Sequence, residues 1–171
     1  MIYIHDTRDK PGKHDNVEKY LTAHGHKIVR SKLYCGDISL LNDQSVCIDL
    51  KQGLQEVYGN VIQDHERFKA EAVRARAAGI RLIVLVEEPG IASIYDVPNW
   101  NNPRLARWKA ISEAHKQGKR LNVKISAFPP APSHKLGMIM HALSRKYGIE
   151  WQFCSKDQTG QRIIALLGGN T

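Results

Sequence analysis

The sequence predicts a single α/β domain over residues 1–171, with a mixed central β-sheet flanked by helices on both faces. Three observations carry this. Short strands joined by a polar turn open the chain. Helical and strand patterns alternate from about residue 64 onward. Ile80–Val86 is an almost continuous branched apolar run, interrupted only by Arg81, which marks a strand buried on both faces.

Met1–His5 is a first strand, ending at Asp6. Asp15–His24 places Val17, Tyr20 and Leu21 at helical spacing and stops at Gly25. Lys27–Tyr34 is the next strand, closing on Gly36-Asp37, and Val46–Leu50 pairs with it across the turn Asn42-Asp43-Gln44. Leu54–Tyr58 forms a short helix. Asp64 caps a longer one through Ala78, with Phe68, Ala72, Val73 and Ala75 on its apolar side and Gly79 at its end. After a Pro-, Gly- and Asn-rich loop, Pro103 opens a helix reaching about His115. Asn122–Ala127 reads as a strand, and the following FPPAPS as a rigid connector. Ser133 caps a helix to Lys146 that Gly148 stops. Trp151–Cys154 and Gln158–Leu167 supply a last strand and helix. Antiparallel pairing followed by β-α-β units gives the mixed sheet.

Composition narrows the function classes. Apolar residues make up 42 % of the chain, ordinary for a globular protein. No apolar run is long enough to span a membrane, and no charged and apolar leader opens the sequence, so a cytoplasmic protein is expected. Cys35, Cys47 and Cys154 form no CxxC pair and read as buried, reduced thiols. No GxxxxGK[ST] motif is present, so no nucleotide cofactor is expected. The formal charge of +8, from 25 basic and 17 acidic residues, suits a polyanionic partner, most commonly nucleic acid. The alternative is a basic protein that binds nothing charged.

Acids and a lysine gather at strand ends. Residues two apart on a strand share a face, so Asp49 and Lys51 project together while Leu50 turns away. In the expected hairpin, Asp37 lies nearer the turn than Asp49, and the two meet only if the chain bends or bulges at Gly36. Two carboxylates and the Leu50 carbonyl would then make a hard-oxygen site suited to Mg²⁺. The Lys51 ammonium beside it could orient a water and stabilise charge on a phosphoryl group. The alternative is an exposed strand end with a solvated ion pair.

The stretches GDISLLNDQSVCIDLK and DHERFKAEAVRARAAGIRLIVLVEE resemble the nuclease domain of the xeroderma pigmentosum group F (XPF) family, within the PD-(D/E)XK superfamily. Asp6-Thr7-Arg8-Asp9 is similar to the family's D-x-R-E, with Asp for Glu. Gly36-Asp37 matches its G-D. Asp49-Leu50-Lys51 stands for E-R-K, and Gln55 stands where a final Asp is usual, with Glu56 adjacent. Arg67-Phe68 and Glu71 resemble the following helix. The likeness runs from Met1 to Glu87, and no helix-hairpin-helix module is matched. It implies a restriction-endonuclease-like fold and Mg²⁺-dependent cleavage of branched or flapped DNA, with Mn²⁺ as a possible substitute, leaving a 5′-phosphate and a 3′-hydroxyl. It implies that Asp37 and Asp49 bind the metal, that Lys51 serves the attacking water, and that Asp6 is a further acid nearby. Arg8 and Arg67 would meet phosphates, and Glu56 or Glu71 would substitute for the acid replaced by Gln55. A homodimer is implied as well. A degenerate, non-catalytic nuclease fold that binds DNA or a partner is the competing reading, and an RNA-binding protein a third.

Other features remain open at this level. The histidines lack metal-site spacing and read as surface residues. His65, at the start of a helix, could touch phosphate or simply supply helix-start polarity. In NWNNPRLARWK, Trp100 and Trp108 could stack on bases beside Arg104, Arg107 and Lys109, or Trp108 and Leu105 could face the core. The stripe Leu136, Ile139, Met140 and Leu143, beside Trp151 and Phe153, is either interior or part of a subunit interface.

Overall fold

In the computed structural model, which describes residues 1–10 and 12–168, six strands form one mixed sheet. They are β1 (Ile2–His5), β2 (Lys27–Arg30), β3 (Ile38–Leu40), β4 (Val46–Lys51), β5 (Arg81–Glu87) and β6 (Glu150–Cys154), in the order β2-β1-β3-β4-β5-β6. The helices are α1 (Asp15–Ala23), α2 (Leu54–Tyr58), α3 (His65–Ala77), α4 (Pro103–Lys116), α5 (Ser133–Tyr147) and α6 (Thr159–Leu167). A π-helical turn, Gly59–Gln63, joins α2 to α3. The α/β class and the layering expected from the sequence are those observed.

β5 explains the layering. Its residues alternate between two cores: Leu82, Val84 and Val86 pack with α2, α3 and α5, while Ile83 and Leu85 pack with α1 and α6. A strand with apolar residues on both faces requires helices on both. Parallel neighbours β4 and β6 flank it.

Two strands differ from the sequence expectation. The segment after α1 becomes β2, which pairs in parallel with β1 at the edge of the sheet rather than with β4. The hairpin partner of β4 is instead β3, a three-residue strand that begins just after Gly36-Asp37. The α1 crossover leaves β2 beside β1, and Leu33 and Cys35 are drawn into the interior on the way to β3. Asn122–Ala127 forms no strand and is largely exposed, because no described strand lies beside it to pair with its backbone.

Smaller corrections concern helix faces and caps. Val73 is exposed while Phe68, Ala72 and Ala75 are buried. Asp64 makes no side-chain cap and pairs with Arg67 at 2.6 Å. Ser133 is the first residue of α5, not its cap, and donates its hydroxyl to the Trp100 carbonyl. Trp100 packs partly on the core, but no residue of α4 is buried. Trp108 is half-buried and donates its indole N–H to the Ser126 carbonyl, so Trp108 and Leu105 do not reach the core. All three cysteines are buried and free. Among the described residues no helix is long and apolar enough to cross a membrane.

The α5 stripe is interior. Leu136, Met140 and Leu143 are buried against the sheet and α3, with Ile139 half-buried at the margin. The apolar argument for a homodimer therefore lapses, since the chain covers this stripe itself. Leu136→Ala should lower unfolding free energy by about 2–5 kcal/mol, the range for emptying a buried leucine site, without changing solution mass. Urea denaturation and light scattering measure the two. A change of mass with little loss of stability would place Leu136 in an interface instead.

Candidate active site

The strand registers line up three aspartates. β1 and β3 pair His5 with Ile38, and β3 and β4 pair Ile38 with Ile48. One residue further along, Asp6 lies opposite Asp37, and Asp37, in a bend just before β3, sits close to Asp49. The backbone holds this row: Asp6 N–H donates to the Asp37 carbonyl and Asp37 N–H to the Ile48 carbonyl, both at 2.8 Å. Directly opposed residues share a face, and all three line a cavity of about 440 Å³ on the α3 side of the sheet. Asp37 therefore precedes a strand rather than ending one, and the chain bends at Gly36-Asp37 to bring it to Asp49, as the sequence required: Asp37 turns its N–H to β4 and its carbonyl to β1, where an extended residue would turn both to one side.

Gly36 supplies the expected bend. Its φ is +69°, and a Cβ there would sit 2.9 Å from the Ile48 carbonyl oxygen and 3.1 Å from Cys47 Cβ. Only glycine allows that crossing without strain. Its N–H donates to Glu71 Oε1 at 2.8 Å, so α3 holds the turn that presents Asp37.

The three acids have different electrostatic fates. Asp6 is saturated: Arg8 grips it through Nε and NH2, at 2.9 and 2.7 Å, and backbone N–H groups of Arg8 and Leu33 donate to it. Burial pushes its pKa up, but these hydrogen bonds and the Arg8 charge hold it below the usual carboxylate value. With every oxygen engaged, Asp6 anchors Arg8 and is not a free acid of the cavity. Asp49, only 3 % exposed, accepts from Lys51 Nζ at 2.6 Å through Oδ1. Its Oδ2 is buried with no hydrogen-bond partner. Asp37 accepts only the Leu50 N–H, at 2.8 Å, through Oδ2. Burial and the neighbouring Asp49 charge push its pKa well above the ordinary range, against the lowering pull of Lys51. Burial alone would lower the Lys51 pKa, yet Asp49, Asp37 and Glu56 raise it above the ordinary lysine value. Lys51 is thus a fixed cation.

The remaining predicted residues divide. Leu50 N–H faces Asp37, and in an extended strand the carbonyl of the same residue faces the same side. Glu56 lines the cavity, accepting from Gln52 N–H at 2.8 Å and pairing with Lys13 at 3.3 Å. Gln55 is exposed and points away, so the acid that the helix phase delivers is Glu56. Glu71 and Arg67 also line the cavity, Arg67 on its exposed rim. His65 does not: its Nδ1 lies 3.2 Å from the Val61 carbonyl, one turn back. Arg8 reaches the cavity but is spoken for by Asp6 and the Leu33 carbonyl.

Lys10, Lys13, Asn60 and Arg74 complete the lining and were missed. Arg74 was legible, since Arg67, Glu71 and Arg74 are spaced i, i+4, i+7 along one helix face. Lys13 was not, because only the folded loop brings it to Glu56. His5 and His14 contradict the reading of all histidines as surface residues. Both are buried around Asp9, with His5 Nε2 at 3.1 Å and His14 Nε2 at 3.5 Å from Asp9 Oδ2. Burial, the largest influence, pushes the His14 pKa down to about 4.

Chemically, the cavity offers hard oxygen donors beside a fixed ammonium. Among the described residues no three His, Cys, Asp or Glu side chains converge as a complete metal-ligand set. A divalent cation fits what is present nonetheless: the orphaned Asp49 Oδ2 needs a partner, and the crowding of Asp37 against Asp49 would be relieved by positive charge.

No protein-family model matches the chain, and no curated protein matches it. Solved structures do. XPF from Aeropyrum pernix superposes with a TM-score of 0.59 at 16 % identity, over 97 % of this chain and 64 % of that one. XPF from the same organism, in complex with DNA, gives 0.56 at 17 % identity, over 98 % of this chain and 63 % of that one. The chain thus spans somewhat under two thirds of those proteins, and it has the XPF-like nuclease fold, of the restriction-endonuclease-like class.

The Asp37–Asp49 crowding has a measurable sign. A carboxyl whose folded pKa is raised stabilises the fold below its unfolded value of ~3.9 and loses that stabilisation as pH rises through the folded value. Ionised Asp37 therefore destabilises the metal-free protein at neutral pH. Asp37→Asn should raise the metal-free melting temperature at pH 8 by at least ~2 °C, with the gap closing toward pH 4. Asp6→Asn should do the reverse, because a lowered pKa gives stability that is present at pH 8 and lost on acidification. Melting curves of both variants across pH check this, and a loss of stability in Asp37→Asn at pH 8 would contradict the like-charge account.

Proposed function

We propose that this chain is a metal-dependent DNA endonuclease that hydrolyses phosphodiester bonds in branched or flapped DNA. One observation carries the reading: Asp49 Oδ2 is buried and unpartnered, beside a crowded Asp37 and a fixed Lys51 cation, in an open cavity rimmed by arginines. A structural ion pair has no need of a second, uncompensated carboxylate next to it. The XPF-like fold, and the DNA held by one of the similar structures, support DNA as the substrate.

Asp37, Asp49 and the Leu50 carbonyl would hold Mg²⁺, or Mn²⁺ in its place. Bound there, the ion would supply Lewis-acid stabilisation of charge on the phosphodiester and a more acidic water. Lys51, held by Asp49 at 2.6 Å, would orient the attacking water or meet a non-bridging oxygen through its Nζ. Arg67 and Arg74 line the opposite wall on α3, where guanidinium groups can hold flanking phosphates in place. Glu71 acts at one remove, by holding the Gly36 turn that presents Asp37. Hydrolysis would leave a 5′-phosphate and a 3′-hydroxyl. A homodimer rests on the family resemblance alone. A cytoplasmic setting suits three buried thiols that form no disulfide.

The second reading, a non-catalytic nuclease fold that binds DNA or a partner, is favoured by the engagement of Asp6 with Arg8 and of Glu56 with Lys13. Only two side-chain carboxylates are then left as direct metal ligands. One pair of measurements separates the readings. Asp49→Asn should lower cleavage of flap, fork and four-way-junction DNA by more than ~100-fold, while DNA affinity stays equal or improves. Gel cleavage assays with Mg²⁺ or Mn²⁺, beside anisotropy titrations, report both. Cleavage undiminished in Asp49→Asn and Lys51→Ala would remove the catalytic assignment.

A further inference from the structure

The active-site cavity carries no excess positive charge of its own. Its lining holds six acidic and six basic side chains, so its formal charge is zero. The excess lies elsewhere. Residues 103–131, namely α4 and the irregular segment returning from it, contain seven lysines and arginines and one acid, Glu113. That is +6 of the chain's +8 in one sixth of its length.

This region forms an arm rather than a layer of the core. No residue of α4 is buried, and almost all of 117–129 is exposed. The arm is nevertheless ordered onto itself and onto its root. Asn102 caps α4 by accepting the Arg104 N–H at 3.0 Å and donates to the Ala131 carbonyl at 3.1 Å. Trp108 ties the returning segment to the helix through Ser126. Ala131 N–H donates to the Tyr58 hydroxyl at 2.7 Å.

The root abuts the cavity. Arg104 donates to Gln63 Oε1 at 2.9 Å and lies 5.3 Å over the Tyr58 ring. Those residues bound the π-helical turn whose Asn60 lines the cavity. Beyond the root, Arg107, Lys109, Lys116, Lys119, Arg120 and Lys124 have no carboxylate partner among the described residues. Three of these lie on α4 and three on the returning segment, and unpaired like charges in so short a stretch lower stability through their mutual repulsion. Folding gives no reason for them, whereas a polyanion does.

We propose that the 103–131 arm is a second nucleic-acid site, gripping the phosphate backbone of DNA that runs out of the active-site cavity. The arm's binding rests on its own charge and exposure; its role in cleavage rests on the nuclease reading above. It would supply the affinity that the charge-balanced cavity lacks, and it would anchor a stretch of backbone at a distance from the scissile bond. Phe128, 80 % exposed on the same returning segment, adds an aromatic face on which an unpaired base can stack.

The test changes Arg107, Lys109, Lys116, Lys119 and Arg120 together to Gln, in the full chain and in an Asp49→Asn background that cannot complicate binding by cleavage. None of the five is buried, so the far-ultraviolet circular dichroism should match the parent and the melting temperature should equal or exceed it. Anisotropy with a fluorescent DNA fork, over a salt series, should show at least a ten-fold loss of affinity. The slope of log K against log salt should become shallower by roughly 2–4, since each phosphate contact contributes about 0.9. In the catalytically intact chain, cleavage at saturating DNA should keep its rate while half-saturation moves to higher DNA. Unchanged affinity and slope would overturn the proposal, as would a loss of affinity with no change of slope, which phosphate contacts cannot produce. Arm-dependent binding by a chain that cuts nothing would remove the nuclease reading and leave the arm. Cleavage with arm-independent binding would do the opposite.

Discussion

Three carboxylates side by side on adjacent strands form the constraint around which this molecule is arranged. Two unit charges about 5 Å apart repel by roughly 3 kcal/mol at an effective dielectric near 20, and Asp6, Asp37 and Asp49 occupy neighbouring positions across β1, β3 and β4. The chain answers with a cation for each outer member. Arg8 closes on Asp6 and Lys51 on Asp49. The middle member has none of its own, and the strain of the row collects there as the raised pKa of Asp37. The placement of Gly36, Glu71 and Leu50 follows from holding that middle residue in position. Gly36 lets the turn cross over Ile48, Glu71 fixes the turn from α3, and the Leu50 N–H fixes one carboxylate oxygen.

The partition of charge also assigns chemistry. A lysine flanked by two acids and buried with them has its pKa raised, and Lys51 donates to Asp49. An aspartate gripped by a forked arginine and two backbone donors is a structural anchor. Asp6 and Asp37 come from similar-looking strand-end positions, yet one accepts four hydrogen bonds and the other a single one. Unsatisfied, charge-crowded groups of this kind cluster at functional sites, which is the ground for reading Asp37 and Asp49 as a site.

Much of this was legible in the sequence, and the failures have identifiable causes. Layering was readable because β5 carries apolar side chains on both faces, which leaves one solution. The same-face projection of Asp49 and Lys51 was readable from strand periodicity. Strand pairing was not. Residues 27–34 read as one long strand, but chain geometry divides them: the first four pair with β1, and Leu33, with Cys35 just beyond, plugs the core. β3 escaped notice because three residues give no periodicity, and Ser39, buried in it, hides its apolar pattern by spending its hydroxyl on the Val46 carbonyl. Asn122–Ala127 had a strand's alternation and no neighbour to pair with. At the site, Gln55 looked like a missing ligand because linear spacing ignores helix phase, which turns Gln55 outward and Glu56 inward.

The distribution of charge over the whole chain completes the same logic. A cavity that must position metal-binding acids cannot also be strongly positive: every cation brought close to Asp37 or Asp49 lowers their affinity for a divalent ion and consumes a carboxylate oxygen in an ion pair. Lys13 and Arg8 already do so at Glu56 and Asp6. A polyanionic substrate nevertheless needs a positive surface. Coulomb forces between exposed groups extend about one Debye length, roughly 8–10 Å at ordinary salt, so the two requirements conflict if they share one surface and are compatible if they are separated. Placing the excess charge on an arm rooted at Tyr58 and Gln63, outside the cavity but joined to its wall, meets both. On the proposed role of the arm, the exposure of α4 follows from that separation, because a helix turned into the core could not present its cations to a phosphate backbone.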